Sequence, residues 1–137
     1  MTPYEHDWMV RFADADPQRI AHYPAILVAI HGVSDRFMEA IGFPFWELIE
    51  ADGFGLPIVE VHAEFDEALR AGDVVTITLR PVLGTRSVRF EYEGHLADGT
   101  RAFSAYEQRV CLPVDGDRAI EMPDELREAM APYAADD

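Results

Sequence analysis

Lysine is absent from this 137-residue chain: all 11 basic residues are arginine, set against 26 aspartates and glutamates. The formal net charge of −15 argues against nucleic acid as a partner, because a phosphate-binding surface must be positive. Cysteine occurs once, at Cys111, so neither an intrachain disulfide nor a thiolate metal cage can form. No apolar run approaches the roughly 20 residues that cross a bilayer. The first residues, Met1-Thr2-Pro3-Tyr4-Glu5-His6-Asp7, lack the basic start and apolar stretch of a secretory signal. A glycine-rich phosphate loop is missing. His6, His22, His31, His62 and His95 show no close ligand spacing, and Asp14-x-Asp16 lacks the glycine and distal glutamate of a calcium loop. These absences lead us to expect a soluble cytoplasmic protein with no metal, no cofactor and no membrane partner.

What is present is enough for one domain over residues 1–137, with 49% hydrophobic residues to build its core. The acidic excess has two explanations. A high-GC genome favours arginine codons, whereas a salty cytoplasm favours dense carboxylates whose repulsion is screened as the Debye length falls to about 3 Å near 1 M salt. The missing lysine together with the acidity favours the halophilic reading.

Hydrophobic periodicity orders the chain. Residues 7–13 read as a strand. From Tyr23 to Ile41 the apolar residues Ile26, Leu27, Ile30, Val33, Phe37, Met38 and Ile41 recur at helical spacing, interrupted mainly by His31, Ser34, Asp35, Arg36 and Glu39. So apolar a helix is expected to be wrapped by other structure. Gly42 ends it, Pro44 to Ile49 suggests a short second helix, and Gly53 and Gly55 mark a turn. Beyond Pro57 the period becomes two, with a slip near Val59 that suggests a bulge. Val75, Ile77 and Leu79 alternate with polar residues, as do Val88, Phe90 and Tyr92, and a last long strand runs from about Arg101 to Leu112. Pro123 opens a short C-terminal helix, and Ala134 to Asp137 should be loose.

The segment from Val10 to Pro24, VRFADADPQRIAHYP, carries the most chemistry. It presents two carboxylates, Asp14 and Asp16, and then enters the helix through Tyr23-Pro24. Proline suits the first helical position, and the residue before it is pushed toward an extended conformation. Tyr23 is therefore expected at the helix cap, its N–H unpaired in the positive field of the helix dipole. An anionic side chain and a free N–H in one short loop suit attack on a carbonyl whose oxygen needs stabilising.

Asp14-x-Asp16-Pro17, Ile20, Tyr23-Pro24 and the helix behind them resemble the 4-hydroxybenzoyl-CoA thioesterase family of hotdog-fold proteins. The sequence GFGLPIV at 53–59, Gly72-Asp73 and Arg86-Ser87 extend the resemblance over roughly residues 8–125. It implies an α+β hotdog fold, a long central helix wrapped by a five-stranded antiparallel sheet. It also implies an acyl-CoA thioesterase, with an aromatic or medium-length acyl group, that assembles as a homodimer or homotetramer with sites built from both chains.

Carried over by position, Asp16 matches the family's catalytic carboxylate, acting as nucleophile or as general base toward water, and the Tyr23 N–H matches its carbonyl-polarising donor. Without the motif, Asp16 would read as the start of a turn before Pro17. Asp14 reads as a residue that fixes the loop. Arg19 stands where many relatives carry glycine and is a candidate for substrate phosphate; His22 is a candidate for lining the pocket. His31 occupies the position of an acidic residue that, in a relative, meets the hydroxyl of the aromatic acyl group across the subunit interface. Its i, i+4 spacing to Asp35 allows the two to hydrogen-bond. Arg86 and Arg89 flank the strand that in the family approaches the CoA nucleotide, and arginine's planar fork suits phosphate; surface pairing with Glu91 or Glu93 is the alternative. Two other functions stay open. A hotdog enoyl-CoA hydratase uses an Asp and a His five residues apart beside Asn-Pro, whereas here Asp14 and His22 are eight apart, Asp16 and His22 six, and the Asn is an Asp. A non-catalytic acyl-CoA or polyketide-pathway binding protein would need no turnover.

Overall fold

Alternation of buried and exposed residues along Val74–Leu83, Ser87–His95 and Arg101–Val110 produces a sheet with one apolar face, and that face decides the architecture. The structure is a computed structural model that describes residues 2–134; positions 135–137, at the chain end expected to be loose, lie outside the described residues. Its elements are β1 (Tyr4–Met9), α1 (Tyr23–Ala40), α2 (Phe45–Glu47), β2 (Phe54–Gly55), β3 (Ile58–Phe65), β4 (Val74–Leu83), β5 (Ser87–His95), β6 (Arg101–Val110), β7 (Leu112–Pro113) and α3 (Asp124–Met130). Five strands form an antiparallel sheet in the order β1-β4-β5-β6-β3. The order of one strand, a helix and then four strands agrees with the sequence, as does the bulge, found between Ile58 and Glu60.

Against the apolar face lies α1, with Ile26, Ile30, Val33, Phe37 and Met38 buried against Val75, Ile77, Leu79, Val88 and Phe90. Its 18 residues are covered on one side only: Val28 is 72% exposed, and Tyr23 and His31 also face outward. The tilted Tyr4–Phe37 and edge-on Phe37–Phe90 ring pairs tie β1, α1 and β5 together at 5.6 and 5.7 Å.

Three boundaries differ from expectation. The first strand begins at Tyr4, paired with Leu79, and stops at Met9. Val10 still exchanges backbone hydrogen bonds with Gly72 and Asp73, but Asp14 Oδ2 then accepts the Arg11 N–H at 2.8 Å and closes a short 3₁₀ turn over Phe12–Asp14, so 11–13 leave the sheet. Gly55 is a strand residue rather than part of a turn, paired with Leu112 in a two-stranded ribbon of β2 and β7. Only Gly53 turns there: its φ of 73° is left-handed, which glycine adopts without strain, and it ends the π-helical run Leu48–Asp52 that continues α2. Pro123 caps α3, as the sequence suggests.

Candidate active site

The loop from Ala15 to His22 is shaped by its own backbone. The Asp16 N–H donates to the Ile20 carbonyl at 2.9 Å, Arg19 N–H donates to the Asp16 carbonyl at 2.8 Å, and His22 N–H donates to the Asp14 carbonyl at 2.7 Å. Asp16 Oδ1 accepts the Gln18 N–H at 2.8 Å, so the turn-capping role is filled by one carboxylate oxygen. The other oxygen has no hydrogen-bond partner among the described residues. Arg19 has φ 69°, the one left-handed non-glycine residue among those described.

At the far end of this loop His22, not Tyr23, is the cap of α1, with φ −69° and ψ 136°. The chain is already helical at Tyr23 although Pro24 follows it directly, so the local preference for an extended residue before proline is overridden here and the extended residue is His22. Within the described residues neither a capping side chain nor a backbone carbonyl takes the Tyr23 N–H. It therefore stays an open donor in the first turn, as expected, where the helix dipole is positive. Asp16, His22 and Tyr23 line one cavity of about 360 Å³, closed on the other side by Phe65 and the following residues Asp66 to Leu69. Asp16 and Tyr23, one a carboxylate and the other carrying an unpaired N–H, thus line a single hollow, a pair of groups suited to nucleophilic or water attack on a carbonyl. The His22 ring packs edge-on against Tyr23 at 5.3 Å.

The remaining candidates are placed elsewhere. His31 and Asp35 form no hydrogen bond with each other. The His31 ring turns instead toward β6, its Nδ1 lying 3.5 Å from Glu107 Oε2 and 3.4 Å from Arg109 Nη2, while Asp35 faces outward. Arg86 and Arg89 do not reach the Asp16 cavity. Arg86 approaches Glu121 at 4.0 Å, and Arg89 lies on the outer face of the sheet, bonded to Gln108 at 3.0 Å and stacked over Tyr106 at 3.9 Å. Neither Glu91 nor Glu93 is the partner of either arginine.

A second cluster was not anticipated from sequence. Glu107 and Arg109 are 2% and 3% exposed, on the helix-facing side of β6. Arg109 donates to the Leu56 carbonyl (2.9 Å), to Ser34 Oγ (3.2 Å) and to Glu107 Oε1 (3.1 Å), and its guanidinium lies 4.8 Å from the Phe45 ring centre. The Tyr92 hydroxyl donates to the same Glu107 oxygen at 2.6 Å. Burial first, and the Glu107 charge second, push the Tyr92 phenol well above its usual range, so it stays a donor. The signal was the alternation itself: 107 and 109 share the parity of the buried Phe103, Ala105 and Cys111.

Comparison with known proteins identifies the family and the fold. A family model of the thioesterase-like superfamily matches residues 10–130. A 1,4-dihydroxy-2-naphthoyl-CoA hydrolase from Synechococcus sp. (strain CC9902) is 30% identical over 77 residues, covering 53% of this chain and 52% of that protein; the chain thus spans about half the length of the curated relative it matches. A gentisyl-coenzyme A thioesterase structure superposes with TM-score 0.81 at 27% identity, over 93% of this chain and 99% of that one. A 1,4-dihydroxy-2-naphthoyl-CoA thioesterase from Synechocystis gives 0.87 at 18% identity, over 93% and 95%, and shares the fold. The match over 10–130 takes in the Asp16 loop, α1 and the whole sheet except β1: the chain belongs to the thioesterase-like superfamily.

Proposed function

We propose that this protein hydrolyses the thioester of an aromatic or medium-length acyl-CoA, with Asp16 as nucleophile or general base and the Tyr23 N–H as the donor to the carbonyl oxygen. The observation that carries this reading is the shared cavity: a half-buried carboxylate with one oxygen uncommitted, beside an unpaired N–H at the start of a helix. In the general-base form Asp16 takes a proton from water, the oxygen adds to the thioester carbon, and the charge that develops on the carbonyl oxygen falls to the Tyr23 N–H. Collapse breaks the carbon–sulfur bond and releases CoA thiolate and the acid. In the nucleophilic form Asp16 itself adds, and water hydrolyses the resulting mixed anhydride. Family membership, the naphthoyl-CoA hydrolase relative and the gentisyl-CoA thioesterase neighbour support the substrate class.

The assembly we propose is a homodimer or a dimer of dimers in a cytoplasm rich in salt, with α1 as the central helix that the paired sheets wrap. Support comes from β3, an edge strand that exposes Val59, Val61 and Phe65, and from the open side of α1. Arg19 carries an exposed guanidinium three residues from Asp16, which suits it to a CoA phosphate, and Arg86 and Arg89 are proposed for the nucleotide end. The test is Asp16→Asn, which keeps size and the bond to Gln18 but removes the charge. Thiol release from a panel of acyl-CoAs should fall by at least ~100-fold in kcat, the lower end for a positioned acid or base, with an unchanged melting temperature. Activity within a few-fold of wild type would reject Asp16, and no turnover by wild type on any ester would favour a binding protein.

A further inference from the structure

The Asp16 cavity is one end of a longer seam between α1 and β3. Farther along, Leu27, Val28, Ile58 and Val61 wall an apolar groove of about 340 Å³, into which His31 and Glu107 bring the only polar side chains. From Tyr23 to His31 the helix advances about 12 Å at 1.5 Å per residue. From Phe65, which lines the Asp16 cavity, to Val61 the strand runs about 13 Å at 3.3 Å per residue. Helix and strand agree on the spacing between the two hollows.

Glu107 is a carboxylate in a place where burial is costly. Its Oε1 is occupied, accepting from both Tyr92 and Arg109, while its Oε2 takes neither bond and finds only His31 Nδ1, at 3.5 Å. The cluster is not optimised for stability, since Arg109 Nε is buried without a hydrogen-bond partner. A hydrophobic pair at these positions would pack as well or better. What the pair supplies is a fixed acceptor at the floor of an otherwise apolar groove. A carboxylate only accepts, so its complement is a donor; a second anion would be repelled.

We propose that Glu107, clamped by Arg109 and Tyr92, is a specificity-determining residue: its Oε2 accepts a hydrogen bond from a hydroxyl at the end of the acyl group remote from the thioester. The inference rests on the thioesterase reading and moves recognition of the acyl group from a His31–Asp35 pair to the strand behind it. An acyl group without the hydroxyl enters the same apolar walls but leaves Oε2 desolvated and unbonded, and discrimination follows from that loss.

The test measures kcat/KM for hydroxynaphthoyl-CoA against naphthoyl-CoA and for hydroxyphenylacetyl-CoA against phenylacetyl-CoA, each hydroxyl placed farthest from the thioester. Wild type should prefer the hydroxylated member of at least one pair by about 10- to 100-fold, the range for a hydrogen bond to a charged group. In Glu107→Gln, which keeps an acceptor for Tyr92 and Arg109 but puts an amide NH2 where Oε2 was, the charge-assisted bond is replaced at best by a weaker neutral one in which the hydroxyl accepts, and that ratio should fall by several-fold, chiefly through KM. A wild-type ratio below two for both pairs, or a ratio unchanged in Glu107→Gln, overturns the proposal while leaving the thioesterase reading intact. Should Glu107→Gln not fold, Tyr92→Phe, which frees Oε1 to take a donor alongside Oε2, should change the ratio by several-fold; an unchanged ratio counts against the proposal. If wild type cleaves none of the four esters but does cleave medium-length acyl-CoAs, the hydroxyl-acceptor proposal is overturned and the thioesterase reading stands; if it cleaves no acyl-CoA at all, the thioesterase reading fails instead. The groove is then probed by thermal shift with methyl hydroxynaphthoate and methyl naphthoate: a larger shift with the hydroxylated ester that Glu107→Gln diminishes supports the acceptor, and equal shifts in wild type, or a difference unchanged in Glu107→Gln, overturn it.

Discussion

Replacing Arg109 with methionine tests whether the cluster behind α1 is a working ion pair. The side chain is 4% exposed and touches the Leu56 carbonyl, Ser34 and Glu107. Methionine fills most of its volume, so the loss is chiefly electrostatic: Glu107 is left buried with only Tyr92 and a distant His31. Breaking a buried pair on one side costs about 3–5 kcal/mol, which for a domain of this size lowers the melting temperature by about 10 °C or more. Removing both charges should behave differently. Glu107→Leu combined with Arg109→Met takes away the uncompensated carboxylate, an exchange that ranges from neutral to about 4 kcal/mol stabilising, though the orphaned Tyr92 hydroxyl gives back about 1–3 kcal/mol. The double variant is expected to be more stable than Arg109→Met alone, and adding Tyr92→Phe should recover more. Urea and thermal denaturation of the four proteins supply the numbers. A single variant within about 1 kcal/mol of wild type, or a double variant less stable than the single, would refute the claim that burial of Glu107 depends on Arg109.

Arg19→Gly should stabilise the fold by about 0.5–1 kcal/mol, the left-handed strain relieved minus glycine's extra chain entropy, and raise KM for acyl-CoA but not for the matching acyl-pantetheine. A lower melting temperature would show that Arg19 stores no strain, and equal effects on both thioesters that it meets no phosphate. With a net charge of −15, the melting temperature should rise with potassium chloride, most of the screening gain arriving by about 1 M, where the Debye length is near 3 Å. A flat response from about 0.05 to 3 M (concentrations bracketing those screening lengths) would leave genome composition as the better account of the acidity.

The interior of the sheet was legible because its rule is local. Val75, Ile77 and Leu79, and then Val88, Phe90 and Tyr92, show the period of two that a half-buried strand requires, and all six are buried. The body of the helix was legible for the same reason, since Ile26, Ile30, Val33, Phe37 and Met38 are all buried. The missed features depend on contacts that no local window contains. The β2–β7 ribbon is two residues long on each side and pairs Phe54 with Pro113. His31 lies at a spacing that permits Asp35, yet its actual neighbour Arg109 is 78 residues away. Glu107 and Arg109 were passed over because a charge in a strand is ordinarily taken to face water; continuing the parity of Phe103 and Ala105 through the charges would have exposed the conflict.

Such conflicts are where physical reading of a sequence gains most, since a locally consistent chain is what folding alone requires. Among the described residues this protein breaks local rules at two places: a non-glycine residue at φ 69° and an ion pair on the apolar face of β6. Arg19 sits in the loop that presents Asp16, and Glu107 opens onto the groove about 12 Å farther along the same helix, by the rise of eight residues. Strain placed at random would have no reason to fall at both ends of one seam. A thioester substrate has two ends to be held, a phosphate-bearing carrier and an acyl group, with the carbonyl between them. An arginine beside the candidate nucleophile and a carboxylate at the bottom of an apolar groove are the charges those two ends require. On the proposed function the open side of α1 is substrate surface, and repairing the two violations should weaken recognition of the two ends separately, Arg19→Gly that of the carrier and Glu107→Leu with Arg109→Met that of the acyl group.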